Sequence, residues 1–209
     1  YISDSEDRGR RAEGRVAAII KRLVATVVLR VPHRILAVGD ANEAFYRRRG
    51  VDPSRLRRIP FPIDREAFGA DRSATAAAAA RLRADHRLGD APIVLSSGKL
   101  VPRKRQADLV EAMARSAFRD AAVLVLLGDG EDRSALVDRA AAVGIRLHVT
   151  GFTAPDDLPP WYRIADVYAH VSDFDPHPLA VSEAVYCGLP VIVSDRTGSW
   201  GQTDDVVPG

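Results

Sequence analysis

The sequence predicts an α/β fold, a doubly wound parallel sheet with helices covering both faces. Two observations carry this. From residue 92 onward, five short apolar runs alternate with helical patterns, which is the rhythm of right-handed βαβ units. The composition agrees. The 209 residues are 46% hydrophobic and 28% charged, which is neither a disordered nor a fibrous balance. A chain of this length buries about 70% of its unfolded surface, so its core needs no staples.

Charge and cysteine content narrow the function. Thirty basic side chains against 28 acidic ones leave a net charge of +2, which gives no electrostatic case for nucleic acid. The single cysteine, Cys187, excludes an internal disulfide and multi-cysteine zinc frameworks, and it fits a reducing cytosol. No metal ligand set is predicted. The start, Tyr1-Ile2-Ser3-Asp4, has no initiating Met and no basic region ahead of an apolar core, so it does not read as a signal peptide. Together with the turn-like end Val206-Val207-Pro208-Gly209, it leads us to expect part of a longer protein.

In chain order, a long helical pattern covers about 8–31. Its apolar part, Val16 to Val31, is 16 residues long and carries Lys21, Arg22 and Arg30. A spanning helix needs about 20 residues free of such charges. The segment therefore reads as an ordinary buried helix, with a helix lying on a membrane surface as the alternative. An apolar run at Arg34–Val38 ends at Gly39, and a short helix follows at 41–49. In Ile59-Pro60-Phe61-Pro62-Ile63-Asp64 two prolines block helix and central strand alike, which marks an interdomain crossing. The Ala76–Ala80 run reads as helix. Strands are expected at Pro92–Ser97, Ala122–Leu127, Arg146–Thr150, Val167–Val171 and Pro190–Ser194. The helices between and beside them fall at 104–117, 131–143, about 157–164 and about 179–187. If the strands take the order 3-2-1-4-5, a ligand crevice opens beyond the carboxyl ends of the first and fourth.

The loops at that crevice carry the candidate chemistry. Gly98-Lys99-Leu100-Val101-Pro102-Arg103-Lys104-Arg105 sets four cations ahead of a helix start. It reads as a phosphate site or as a solvated basic turn. After the fourth strand, Asp175 and Glu183 lie 183 − 175 = 8 positions apart and can face one crevice, where carboxylates suit sugar hydroxyls. Alternatively, Glu183 is an exposed helix residue and Asp175 a helix cap. Between them, His177-Pro178-Leu179-Ala180 delivers the N–H groups of Leu179 and Ala180 at a helix start, which suits an anion. Leu127-Gly128-Asp129-Gly130-Glu131 is a glycine turn that needs no ligand, and Gly151-Phe152-Thr153 is a nucleobase wall or a plain turn.

Taken in this order, the motifs resemble the nucleotide-binding domain of glycosyltransferase family 4, whose members are retaining enzymes of the GT-B fold. The resemblance runs from about Ile59 to the end. It rests on Pro60-Phe61-Pro62-Ile63-Asp64, Gly98-Lys99-Leu100 with Lys104, Leu127-Gly128-Asp129-Gly130, Gly151-Phe152, Ala165-Asp166-Val167 and Asp175–Glu183. The most specific block is Cys187-Gly188-Leu189-Pro190-Val191-Ile192-Val193-Ser194 with the acidic pair. The resemblance implies a Rossmann-like domain at 73–209, truncated at its end. A crossing at 59–72 and a remnant of the acceptor-side domain at 1–58 would precede it. Lys99 and Lys104 would neutralise a donor diphosphate, Asp175 would hold hydroxyls of the transferred sugar, and Glu183 would accept those of the ribose. Gly98, Gly128, Gly130, Gly151, Phe152, His177, Pro178, Leu179 and Ala180 would complete the donor site. No cofactor is implied beyond the nucleotide-diphosphate sugar itself. The acceptor would be a glycan, a lipid or a small molecule, and the location cytoplasmic, with peripheral contact at the inner membrane face.

The chain departs from the family pattern at four places. Asp175 stands for the usual Glu of the acidic pair, Lys99 for an arginine, Pro178 for a common glycine and Arg105 for the glycine after the lysine. These differences bear on donor-sugar identity. His170 and His177 are candidate general bases; a structural role is the stronger reading for His170 and donor contact for His177. Cys187 reads as a small buried hydrophobe rather than a nucleophile. A glycosidase is rejected, because its two carboxyls leave the basic loop without a role. A nucleotide-sugar epimerase and a non-catalytic nucleotide-sugar-binding module are the surviving alternatives.

Overall fold

The computed structural model describes residues 15–69 and 72–207. The first part of the helical pattern expected at 8–31 and the final Pro208-Gly209 lie outside them. The fold divides into two compact units. One takes the chain up to Pro62, with Phe174–Pro178 and the segment from Asp195 onward; the other takes Ile63–Asp173 and Leu179–Ser194.

In the first unit, helix α1 (Arg15–Val28) is followed by strand β1 (Ile35–Ala37), helix α2 (Asp40–Arg48) and strand β2 (Leu56–Arg58). The two strands pair in parallel, with Ile35 opposite Leu56. The sequence reading missed β2, because three residues between a turn and a proline pair show no period. Leu29, Ile35, Ala37, Phe45, Tyr46, Val51 and Leu56 form the core. The expectation of a buried helix at Val16–Val31 is corrected for the described side chains. Ile19, Ile20, Leu23, Val24, Val27 and Val28 are exposed, and Leu29 is the first to be buried. The N-terminus of α2 has Gly39 as its cap residue, with no side chain to offer. The Asp204 carboxylate supplies the acceptor instead, at 2.9 and 3.0 Å from the Asp40 N–H.

The second unit begins with the short helices α3 (Arg65–Gly69) and α4 (Arg72–Asp85). Then come β3 (Ile93–Ser97), α5 (Gln106–Arg115), β4 (Val123–Leu127), α6 (Arg133–Val143) and β5 (Arg146–Gly151). Helix α7 (Leu158–Ile164), β6 (Val167–His170), α8 (Leu179–Tyr186) and β7 (Val191–Val193) complete it. Each of the five expected strands forms within a residue or two of its expected place. The strand order β5-β4-β3-β6-β7 is the doubly wound order, and every pairing is parallel. The central strands are apolar on both faces because helices cover both; all five residues of β4 are buried. Leu109, Val110, Met113, Leu124, Leu126 and Leu136 lead the core. At the amino end of the sheet, the Asp166 carboxylate accepts the Ile93 N–H at 2.8 Å and ties the start of β6 to that of β3.

This order sets β4 and β5 on one side of β3 and β6 and β7 on the other. The chain therefore leaves β3 and β6 in opposite directions, and their carboxyl ends frame the opening where ligands bind in such sheets.

Candidate functional site

At the carboxyl end of β3 the backbone turns sharply at Gly98, whose φ is +141°. The loop after β4 presses against it. The Gly98 N–H donates to the Leu127 carbonyl at 2.9 Å and the Leu100 N–H to the Asp129 carbonyl at 2.9 Å. This contact explains the Gly-Asp-Gly turn. A Cβ on Gly128 would stand 2.2 Å from the Gly98 oxygen, and one on Gly130 would stand 2.1 Å from the Leu100 oxygen. Both approaches are to rigid backbone, so only glycine fits. Packing alone thus requires both glycines, and the turn shapes the loop that carries the cations.

Lys104 closes a tight turn, Pro102–Lys104, that leads into α5. Its side chain lies over Gly98, with Nζ 3.9 Å from the point a Gly98 Cβ would occupy. Lys99 is exposed, and its carbonyl accepts a bond from the buried Gln106 amide at 3.1 Å. Arg105 adopts a left-handed conformation, φ 55° and ψ 30°, at the position where a glycine was expected. Its guanidinium pairs with Asp108 at 2.6 Å and with Asp173 at 3.4 Å.

Glu183, on α8, is buried with 9% exposure, so the exposed-helix alternative falls. Its Oε2 accepts a 2.8 Å hydrogen bond from the Tyr162 hydroxyl. Burial raises the Glu183 carboxyl above the ordinary carboxylate range, and the Tyr162 bond pulls it partly back. Burial pushes the ionisation of the Tyr162 phenol well above its ordinary value. Tyr162 stacks on Tyr168 at 5.6 Å. The carboxylate of α8 is thereby held by α7, and the Tyr168 hydroxyl donates to the Ser97 carbonyl at 3.5 Å, one residue before the glycine under Lys104. Sequence reasoning did not single out Tyr162. Two adjacent aromatics in a short helix, Trp161 and Tyr162, carry no spacing that points to a partner 21 residues away.

The other expected site residues fall as follows. Leu179 and Ala180 open α8, and Leu179 is exposed. That start, with Pro178 before it, removes Asp175 from the cap position. Gly151 ends β5 and lies beside the Asp129–Arg133 pair, and Phe152 is 84% exposed. Asp175, His177 and Pro178 belong to the first unit. There the Asp175 carbonyl accepts the Gly198 N–H at 2.8 Å. The buried His177 ring sits 5.5 Å from the Phe61 ring, with Nε2 3.6 Å from Asp205. His170 is buried beside Tyr168, in keeping with a structural role, and Cys187 is half-buried with its thiol pushed up by burial. Among the described residues, no three His, Cys, Asp or Glu side chains cluster to hold a metal ion. No described helix is long and apolar enough to cross a membrane.

Comparison with known proteins places this geometry. Residues 79–203 match the family described as glycosyl transferases group 1. The chain is 34% identical over 173 residues to a GDP-mannose-dependent α-(1-6)-phosphatidylinositol monomannoside mannosyltransferase of Mycobacterium tuberculosis, covering 78% of this chain and 41% of the relative. It is 32% identical over 170 residues to a D-inositol 3-phosphate glycosyltransferase of Saccharomonospora viridis, covering 75% of this chain and 38% of that one. The chain thus spans about two fifths of the length of these relatives. Among solved structures, Anabaena Alr3699/HepE in complex with UDP shares the fold. Its TM-score is 0.71 at 23% identity, over 86% of this chain and 50% of that one. The chain belongs to the group 1 glycosyltransferases and shares the α/β architecture of the GT-B fold.

Proposed function

We propose that this chain carries the donor site of a retaining family 4 glycosyltransferase that moves a sugar from a UDP- or GDP-sugar to a glycan, lipid or small-molecule acceptor. The observation that supports it most directly is the buried Glu183 carboxylate held by Tyr162. The Tyr162 ring stacks on Tyr168, whose hydroxyl reaches the Ser97 carbonyl, beside the glycine over which Lys104 lies. A buried carboxylate and an ammonium group at one strand end match the two poles of a nucleoside diphosphate, ribose hydroxyls and phosphates. In this reading Lys104 and Lys99 neutralise the diphosphate as it leaves, and Glu183 accepts the ribose hydroxyls. The N–H groups of Leu179 and Ala180 face the β-phosphate. Phe152 and Gly151 border the base, and Asp175 holds sugar hydroxyls. Front-face attack, with the leaving diphosphate as base, accounts for retention. Residues 73–209 form the donor domain and 1–58 the end of the acceptor-side domain, so transfer itself requires the longer protein. The activities of the relatives favour GDP-mannose as the first donor to try and transfer over epimerisation, and an inositol-lipid acceptor would place the enzyme at the inner membrane face.

Titration calorimetry of the chain with UDP and GDP tests this. One of the two binds, and Lys104→Ala or Glu183→Gln weakens it by about 1.5–3 kcal/mol, the value of a hydrogen bond to a charged group. Affinity unchanged in both variants overturns the assignment. Full-length protein that binds a donor sugar yet never transfers it to any acceptor would support the non-catalytic alternative.

A further inference from the structure

We propose that Tyr162 is a positioning residue that sets the Glu183 carboxylate for the ribose. This deepens the donor-site reading and rests on it. Glutamate is long and flexible, and ordering such a side chain costs about 1.5–2 kcal/mol of rotamer freedom. A ligand that meets a carboxylate already ordered is spared that cost. The structure supplies the ordering from a rigid support. Tyr162 has no exposed surface. Its ring is stacked on Tyr168 at 5.6 Å and set edge-on to Phe68 at 5.5 Å. Helix α7 is fastened through the next residue, since Arg163 Nη2 donates to the Ala67 carbonyl at 2.9 Å.

The phenol donates to Glu183 Oε2 at 2.8 Å. A carboxylate offers about four lone-pair sites, so one bond to Oε2 leaves acceptor capacity on both oxygens for a pair of vicinal hydroxyls. The same bond stabilises the ionised form against burial, and the ionised form is the acceptor a hydroxyl pair requires. Tyr162 touches neither substrate nor reacting atom in this scheme and acts through Glu183.

The test is a preference ratio, which a general loss of stability does not move. Affinities of the chain for GDP and for 2′-deoxy-GDP, or for the uridine pair if that base binds, are measured beside inorganic pyrophosphate as the ribose-free probe. Wild type prefers the ribonucleotide by about tenfold, one hydrogen bond to a charged acceptor. Glu183→Gln removes the preference. Tyr162→Phe keeps the ring and brings the preference to about twofold or below, with pyrophosphate affinity unchanged. A Tyr162→Phe protein that keeps the wild-type preference while Glu183→Gln loses it overturns this inference and leaves the donor-site reading standing. A wild type with no preference for the ribonucleotide overturns the role of Glu183, and this inference with it. If Tyr162→Phe does not fold, Tyr162→Met, which also lacks the hydroxyl, decides by the same ratio: a reduced preference supports the inference, and an unchanged one overturns it.

Discussion

The Asp173 N–H donates a 2.9 Å hydrogen bond to the Arg103 carbonyl, joining the loop after β6 to the loop after β3. The buried Ser172 hydroxyl donates to the same oxygen at 3.1 Å. The Ser172 carbonyl in turn accepts from the Ser194 hydroxyl at 2.7 Å, just past β7. The turn that presents Lys104 is therefore held from across the opening as well as by its own strand. Replacing Ser172 by Ala leaves part of that anchoring to the backbone alone. We expect a stability loss of about 1 kcal/mol in urea denaturation, with a several-fold weaker diphosphate affinity. Asp173→Asn loses an exposed ion pair to Arg105 and changes stability by about 0.5 kcal/mol or less. The reverse ranking of the two variants would show that the side chain, not the buried hydroxyl, does the holding.

Gly130→Ala places a methyl group where the Leu100 carbonyl already sits, 2.1 Å away. The clash is with backbone on both sides, so relaxation must separate the two loops. The expected cost is about 3 kcal/mol, at the upper end of overpacking effects, read as a fall in the denaturation midpoint. A near-neutral alanine would mean that the loops after β3 and β4 separate without cost.

The two lysines of the first loop should differ. Lys104 lies against the Gly98 turn and Lys99 is exposed. Calorimetry with the bound diphosphate should show Lys104→Ala losing about 10- to 100-fold in affinity and Lys99→Ala about threefold or less. Raising the salt concentration should erode the Lys99 effect first, because exposed charges are screened most. Equal losses would place the diphosphate midway between them.

Glu183 makes folding and binding depend on pH in opposite senses. Its carboxyl is raised above the ordinary value of 4.5, chiefly by burial. Folding therefore favours the protonated form. Its contribution to stability is complete below the unfolded value and is lost as pH climbs through the raised folded value. Nucleotide binding runs the other way, because hydroxyls donate to the ionised group, so affinity rises across the same window. Glu183→Gln flattens both curves. Denaturation and calorimetry in parallel from about pH 4 to about pH 7 read the two directions, and affinity that falls with rising pH would rule out an ionised acceptor.

How much of this was legible in the residues follows from the range of the forces involved. Alternating apolar runs and helical patterns report local burial, so five strands and the helices between them were readable from residue 92 on, as was the switch point they create. Gly98, Gly128 and Gly130 were visible as punctuation. That Gly130 is required by the Leu100 carbonyl was not, because the two meet only when β3 and β4 pair. Likewise Glu183 was a named acid, but its partner Tyr162 comes from the separate helix α7, 21 positions earlier in the chain. The three-residue strand β2 and the exposed face of α1 escaped for a related reason, since neither period nor length tells which surface a neighbour will cover. Sequence alone determined the elements, their order and the charged loops, since these depend on neighbours a few positions apart. Tertiary structure alone decided which carboxylate is buried, which cation rests on which turn and which hydroxyl orders the acid. Those choices depend on desolvation and on contacts between residues tens of positions apart, which exist only once the sheet has closed.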